Sequence, residues 1–315
     1  MKKNLTNIFT ILILITILIL ILVFSSEVIV SVLYALDIWK NNILPSLFPI
    51  FITTDLLIAY GFIDILGKFT NKITTKLFNL PGEASFVIIA SMLSGFPSSA
   101  KYITELLENK IIDYKQAQYL LSFTHFPNPL FVIGVVGEKL LHNKLVGMII
   151  LFSTIIGNLL IAFFTKDNTH LLTKRNSINF TEKKRENFIT ILTNSILKTA
   201  NTLILLLGII TTFLVISTII NNLINSNTIF TTILSGFLEM TQGINYISLE
   251  DINVSLKSLI ITCFICFGGI SIHLQIMSIL SCEKIKYSKY LLNRILHCII
   301  SGFIVFVLLT LLLKI

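Results

Sequence analysis

The sequence predicts an all-α, polytopic helical membrane protein built as two inverted repeats, each with a re-entrant hairpin and a discontinuous helix. Three observations predict it. Hydrophobic residues fill 54% of the 315 positions and charged residues only 13%, about half the charged share of a soluble chain. Polar breaks rich in Gly and Pro interrupt apolar stretches at Ser94-Gly95-Phe96-Pro97-Ser98-Ser99-Ala100-Lys101 and at His125-Phe126-Pro127-Asn128-Pro129-Leu130-Phe131. The first of these patterns returns in the second half of the chain as Ser235-Gly236-Phe237.

The elements follow in order. Lys2 and Lys3 precede Ile8–Phe24, whose polar members are Thr10 and Thr16. This run is long for a signal-peptide core, so an uncleaved first span is expected within 1–26, with its N-terminus inside. Glu27–Asn42, around Trp39, reads as an interfacial helix, and Leu44-Pro45-Ser46-Leu47-Phe48-Pro49 opens a second span ending near Phe62. Lys68, Lys72 and Lys76 recur every four residues on an interfacial helix that ends at the Leu80-Pro81-Gly82 turn. Glu83–Ser94 and Ser98–Asn109 are each only about half a bilayer crossing at ~1.5 Å per residue. The second arm carries Lys101, Glu105 and Glu108, which bars it from lipid. Two short arms about a Gly-Pro tip make a re-entrant hairpin. Tyr114–Phe126 and Leu130–Val136 form a broken crossing, and Leu145–Phe164 is an ordinary span.

Lys166–Asn187 is the aqueous segment, with six basic residues (Lys166, Lys174, Arg175, Lys183, Lys184, Arg185) against three acidic ones. It divides a first repeat, 27–165, from a second, 191–315. Leu93-Ser94-Gly95-Phe96 recurs 141 positions on as Leu234-Ser235-Gly236-Phe237, and Phe123 and Phe126 recur at the same offset as Phe264 and Phe267. In this register Pro127 and Asn128 face Gly268 and Gly269, so both helices are expected to break at one place. The second-half elements are then Ser195–Asn221, the hairpin Ile229–Tyr246, Val254–Leu280 and Leu291–Leu313. Seven crossings place Lys68–Lys76, the 166–187 loop and the cluster Lys284, Lys286, Lys289, Arg294 together on the cytoplasmic side.

The breaks carry the chemistry. Pro97 can start a helix whose first turn holds Ser98 and Ser99, because the N–H that proline lacks has no partner there. That positive helix end attracts a carboxylate or phosphate, and Lys101 one turn in adds a full charge. Leu130–Val136 offers a second such end after Pro129, with Asn128 as a side-chain amide. The bland alternative is that the prolines only kink packed helices and Lys101 snorkels. In the second half the tip carries Glu239 and Gln242, and the second break is followed by Ser271, His273 and Gln275. Ionisable groups inside spans are coupling or substrate candidates, although His273 and His125 also suit packed rings bonded to a carbonyl.

Other classes find no support. The net charge of +8 reports cytoplasmic loops rather than nucleic acid. Cys263-x-x-Cys266 has no second pair, and with Cys282 and Cys298 it reads as packing. There is no Gly-rich nucleotide loop, nucleophile elbow or His pair of ligand spacing, so neither an enzyme nor a metal site is expected.

The first-half segments, Ser94–Lys101, Ser122-Phe123-Thr124 and Asn128-Pro129-Leu130-Phe131-Val132-Ile133-Gly134, resemble the YlbJ sporulation integral membrane proteins. The Gate or "nucleoside recognition" domains of that family occur in pairs and are similar to the core of concentrative nucleoside transporters. The resemblance implies a role in endospore formation, moving dipicolinic acid, a small aromatic dicarboxylate, across a forespore-surrounding membrane. It maps the first gate motif onto Ser94, Gly95, Pro97, Ser98, Ser99 and Lys101 and the second onto Asn128 and Pro129. The substrate site expected is these residues with His125, Ser235, Gly236, Glu239, Gln242, Gly268, Gly269, Ser271, His273 and Gln275. A nucleoside carrier and a non-transporting scaffold remain alternatives. Partners are the lipid bilayer, a small carboxylate and other sporulation membrane proteins, with no cofactor. A coupling ion, Na+ or H+, is left open.

Overall fold

The computed structural model describes residues 2–166, 187–224, 228–280 and 284–313, and every regular element among them is helical. Cys282 and the basic residues Lys174, Arg175, Lys183, Lys184 and Arg185 lie outside the described residues. Helix α1 (Lys2–Val23) is apolar on every side from Ile8 onward, and its residues 6–23 are largely exposed. The hydroxyls of Thr10 and Thr16 donate to its own turns, at Thr6 O and Leu12 O, both at 2.9 Å, so neither needs water.

Helix α2 (Ser25–Ile38) continues through a wide π turn, Trp39–Ile43, into α3 (Leu44–Ala59). Pro45 explains the turn: its ring presses on the carbonyl four residues back, at Asn41, and the backbone widens to relieve it. Glu27–Asn42 is therefore not a separate interfacial helix but half of a 35-residue apolar rod, Ser25–Ala59. The rod packs antiparallel along α9 (Phe188–Ile224). Val28 meets Val215 and Ile219, Ala35 meets Ile210 and Leu214, and Phe51 meets Leu203 and Leu206. Trp39 Nε1 donates to Leu203 O at 2.8 Å.

After Gly61 at φ +79°, α4 (Phe62–Phe78) turns Lys68, Lys72 and Lys76 outward and Ile63, Gly67 and Thr74 inward. Helices α5 (Ala84–Ser94) and α6 (Ser98–Glu108) are the first hairpin, 11 residues each. Helix α7 (Tyr114–Phe123) opens with a reciprocal cap between Asp113 and Gln116. Residues 124–128 are unwound, and helix resumes at Pro129 and widens into a π-helix, Phe131–Leu140. Helix α8 (Lys144–Phe164) returns, its Gly147 seated on Gly137. The second hairpin is α10 (Ile229–Leu238) and α11 (Met240–Leu249), followed by α12 (Val254–Phe267), α13 (Gly269–Leu280) and α14 (Tyr287–Leu313). Six segments among the described residues are long and apolar enough to span a membrane, one of them, Val254–Leu280, interrupted at Gly268. The expected seventh crossing is the interrupted path through α7 and the π-helix.

One break is displaced. Gly236 was expected at the second tip, yet α10 runs straight through it and the chain turns at Glu239, in extended conformation. The absent side chain serves packing instead: a Cβ on Gly236 would lie 2.3 Å from the Phe264 ring, and one on Gly243 would lie 2.1 Å from the Gly236 Cα. The repeated tetrapeptide thus breaks a helix in one half and lets two helices touch in the other.

Candidate functional site

An unwound segment in a membrane interior must place each freed backbone group, and tracing those groups builds the site. At the first tip Gly95 holds φ +80°, and a Cβ there would lie 2.5 Å from Asn128 N. Phe96 N donates to Phe126 O at 2.8 Å. Asn128 Nδ2 donates to Ser94 O at 3.1 Å, while its Oδ1 accepts from Leu130 N at 2.8 Å and Phe131 N at 3.3 Å, both just past Pro129. Ser98 Oγ closes the turn onto Gly95 O at 2.5 Å.

The carbonyls at the end of α7 are met from two other helices. The Arg294 guanidinium of α14 donates to Ser122 O, and Asn158 Nδ2 of α8 donates to His125 O at 2.7 Å. At the last break Gly268 and Gly269 hold φ +88° and +70°. His273 Nε2 bonds Phe267 O at 2.8 Å, which makes it the donor, and Nδ1 then accepts from Tyr287 Oη at 3.1 Å. His273 is a packed ring holding the break. His125 has a similar setting, with Nδ1 on Tyr290 Oη at 3.1 Å and its ring stacked on Phe96 at 4.5 Å.

The openings converge. The first meets the second at Gly95 and Asn128; the second meets the fourth, where a Cβ on Gly268 would lie 2.9 Å from His125 Nε2. The fourth meets the third, where a Cβ on Gly269 would lie 3.0 Å from Met240 N. Each tip is thus fitted against the break that follows it in the chain. Beside this junction is a cavity of about 300 Å³. Ser94, Phe96 and Pro97 of the first tip line it, with Asn128, Glu239 and Gln275. Asn41 and Asn42 of the π turn and Pro45 of α3 close it, and the Phe131 ring adds an aromatic wall.

Its electrostatics differ from the expectation. Glu239 is the lone ionisable residue of the lining among the described residues. Its carboxylate caps its own helix, Oε2 accepting from Gln242 N at 3.0 Å and from the Thr241 hydroxyl. Asn128 caps the π-helix in the same way. Of the two helix ends expected to attract an anion, the one after Pro129 therefore already holds a side-chain oxygen, as does the start of α11. Lys101 does not face the cavity: it is buried against α3, Nζ 2.8 Å from Asp55 Oδ1.

Of the residues expected to bind, Ser94, Pro97, Asn128, Glu239 and Gln275 line the cavity. Gly95, Ser98, Ser99, Gly268, Gly269 and His125 form the wall behind it, and Ser271 and His273 are buried on α13. Ser235 receives Asn221 Nδ2 at 2.8 Å, Gly236 packs on Phe264, and Gln242 Nε2 donates to Tyr246 Oη at 3.0 Å. Arg294 does not belong to a solvated cluster, because α14 buries it completely, with Nη1 3.0 Å from His297 Nδ1. The signal was available: Tyr290, Arg294, His297 and Ser301 make one helical stripe on an apolar helix. Asp55, alone in the apolar run after Pro49, was equally visible.

The family comparison falls on this junction. Residues 42–142, from the π turn through both first-half breaks, match the Gate family, described as nucleoside recognition. Residues 42–142 are thus similar to a Gate segment. Over 308 residues it is 27% identical to the "Sporulation integral membrane protein YlbJ" of Bacillus subtilis (strain 168), covering 87% of this chain and 75% of that protein. No solved structure matches. The Gate segment holds Ser94, Gly95, Pro97 and Asn128, whereas Glu239 and Gln275 are brought to the cavity from outside it.

Proposed function

We propose that this integral membrane protein is a carrier of the sporulating cell, moving dipicolinic acid by alternating access about the cavity. The observation that carries the reading is the meeting of unwound backbone from both halves beside a cavity of about 300 Å³, the size and setting of a small-solute site. The aromatic walls at Phe96 and Phe131 suit a planar ring, and the amides of Asn128, Gln275, Asn41 and Asn42 suit its carboxyl groups. In this reading the halves have opposite orientation.

The basic clusters support a cytoplasmic face. Lys166 Nζ donates to Lys76 O at 2.9 Å, and Ser122 of α7 lies 3.3 Å from Thr165. Further along α7, Gln118 Oε1 accepts from Lys286 N at 2.6 Å. The clusters therefore share one end of the molecule, which the positive-inside rule assigns to the cytoplasm, with the N-terminus.

Charge sets the form in which the solute travels. Two unit charges about 4 Å apart repel by roughly 4 kcal/mol at an effective dielectric of about 20. A dianion beside Glu239 meets that repulsion with no cation in the lining to offset it, so it enters with a proton on itself or on Glu239. Reconstituted protein is expected to take up labelled dipicolinate, faster from an acidic outer solution. Uptake that stays at the level of empty vesicles under every ion gradient removes this substrate. The lack of a cationic residue in the lining among the described residues and the description of the Gate family also favour a nucleoside. Competition by uridine or adenosine separates the two.

A further inference from the structure

Outside the cavity lies an ionic cluster that the site does not use. Asp55 of α3 pairs with Lys101 of α6 at 2.8 Å, with side-chain exposures of 12% and 5%. Asp55 Oδ2 also accepts from Ser195 Oγ of α9 at 3.0 Å. One turn on, Glu105 of α6 pairs with Lys198 of α9 at 3.1 Å, and Lys198 is 52% exposed. The groups facing Asp55 are thus Lys101, Glu105 and Tyr102 from α6 and Ser195 and Lys198 from α9. Helix α5 brings no ionisable residue, and α4, beyond the Tyr60–Gly61 turn, carries Asp64 and Lys68.

A buried ion pair is a poor way to hold helices together, since hydrocarbon of similar volume holds them as well or better. Ionisable groups inside a membrane domain are by default functional. This pair also joins a scaffold rod to the arm whose tip, Ser94 to Pro97, lines the cavity. Apart from Asp55, Lys101 Nζ has no polar partner among the described residues and rests 4.3 Å from the Phe51 ring centroid. Neutralising Asp55 therefore strands an ammonium ion in an apolar setting, which movement of α6 toward water or loss of the ammonium proton relieves.

We propose that Asp55 is a proton-binding site with Lys101 as its built-in counter-ion. When α6 withdraws, Asp55 takes a proton from water, forming an O–H bond, and when Lys101 returns that bond breaks and the proton leaves to water. Lys101 stays protonated throughout. The half-exposed Glu105–Lys198 pair marks the way out. Proton occupancy of Asp55 and the position of the hairpin tip are then linked, each biasing the other equally. Proton binding stands without the carrier reading; its coupling to solute rests on that reading.

The test is an infrared pH titration of the full chain in lipid, without solute. Wild type is expected to gain a protonated-carboxyl band on acidification that Asp55→Asn loses and Glu239→Gln keeps. If Asp55→Asn does not fold with Lys101 left alone, Asp55→Leu combined with Lys101→Met removes both charges and serves the same subtraction. A titrating band set that is unchanged by these variants overturns the site. In vesicles, Asp55→Asn is expected to keep exchange of labelled dipicolinate at equal pH but lose accumulation driven by a pH gradient. Retained accumulation overturns the coupling. Wild type that exchanges neither dipicolinate nor uridine defeats the carrier reading alone, while the infrared band still decides the proton site.

Discussion

Asn128 ties the two openings of the first half to each other. Its amide nitrogen donates to Ser94 O at 3.1 Å, and its amide oxygen caps the π-helix at Leu130 N, 2.8 Å away. Asn128→Ala removes both contacts at once. Loss of the cap costs about 1 kcal/mol, and a buried carbonyl left bare costs roughly 1–3 kcal/mol more. A thermal melt in detergent is expected to fall accordingly. Asn128→Asp, which keeps the cap oxygen and loses the donor, is expected to lie between; equal melting of all three proteins contradicts the clasp.

Glycines separate the two versions of the Ser-Gly-Phe pattern. Gly95→Ala places a methyl 2.5 Å from the Asn128 backbone at φ +80°, and Gly236→Ala drives one into the Phe264 ring. Both are expected to lower the yield of folded protein. Gly208→Ala, where a Cβ meets nothing within 4 Å of its helix surroundings, is expected to be neutral or stabilising by about 0.5–1 kcal/mol. Size-exclusion profiles and melts of the three variants check this ordering.

Arg294 is buried without a carboxylate within hydrogen-bonding reach among the described residues, and its work is to meet backbone at the end of α7. A hydrogen bond from a charged donor contributes about 1.5–3 kcal/mol. Arg294→Met is therefore expected to melt earlier by at least that amount, with Arg294→Lys recovering part of it. A melt unchanged in Arg294→Met shows that the end of α7 finds its partners elsewhere.

Glu239 sets the sign of the pH dependence. Dipicolinate uptake by wild type is expected to fall as pH rises, because the unprotonated carboxylate repels the dianion. Glu239→Gln keeps a side-chain oxygen for Gln242 N and removes the charge, so its uptake profile is expected to flatten between acid and neutral pH. A Gln variant that is as steep as wild type places the titrating group on the solute or elsewhere in the protein.

The apolar spans were readable because lipid selects hydrophobicity along whole segments, and the breaks at Gly95 and Gly268 because few other residues hold a positive φ. The repeated Ser-Gly-Phe misled for a related reason. Glycine serves equally where the backbone turns and where another helix presses close, and only the Phe264 ring shows which applies at Gly236. Glu27–Asn42 looked interfacial because its polar residues are frequent, yet its apolar side had a partner in α9, some 170 to 190 residues away.

By itself, then, the sequence determined the solvent of each segment, the places where helix cannot continue and the end of the molecule that gathers basic charge. These properties follow from local composition. Tertiary structure alone decided that Lys101 answers Asp55, that Arg294 serves α7, and that Glu239 is the one ionisable residue lining the cavity among the described residues. The buried charges of Lys101 and Arg294 are met by partners that distant chain supplies, and such a pairing is written in no stretch of neighbouring residues.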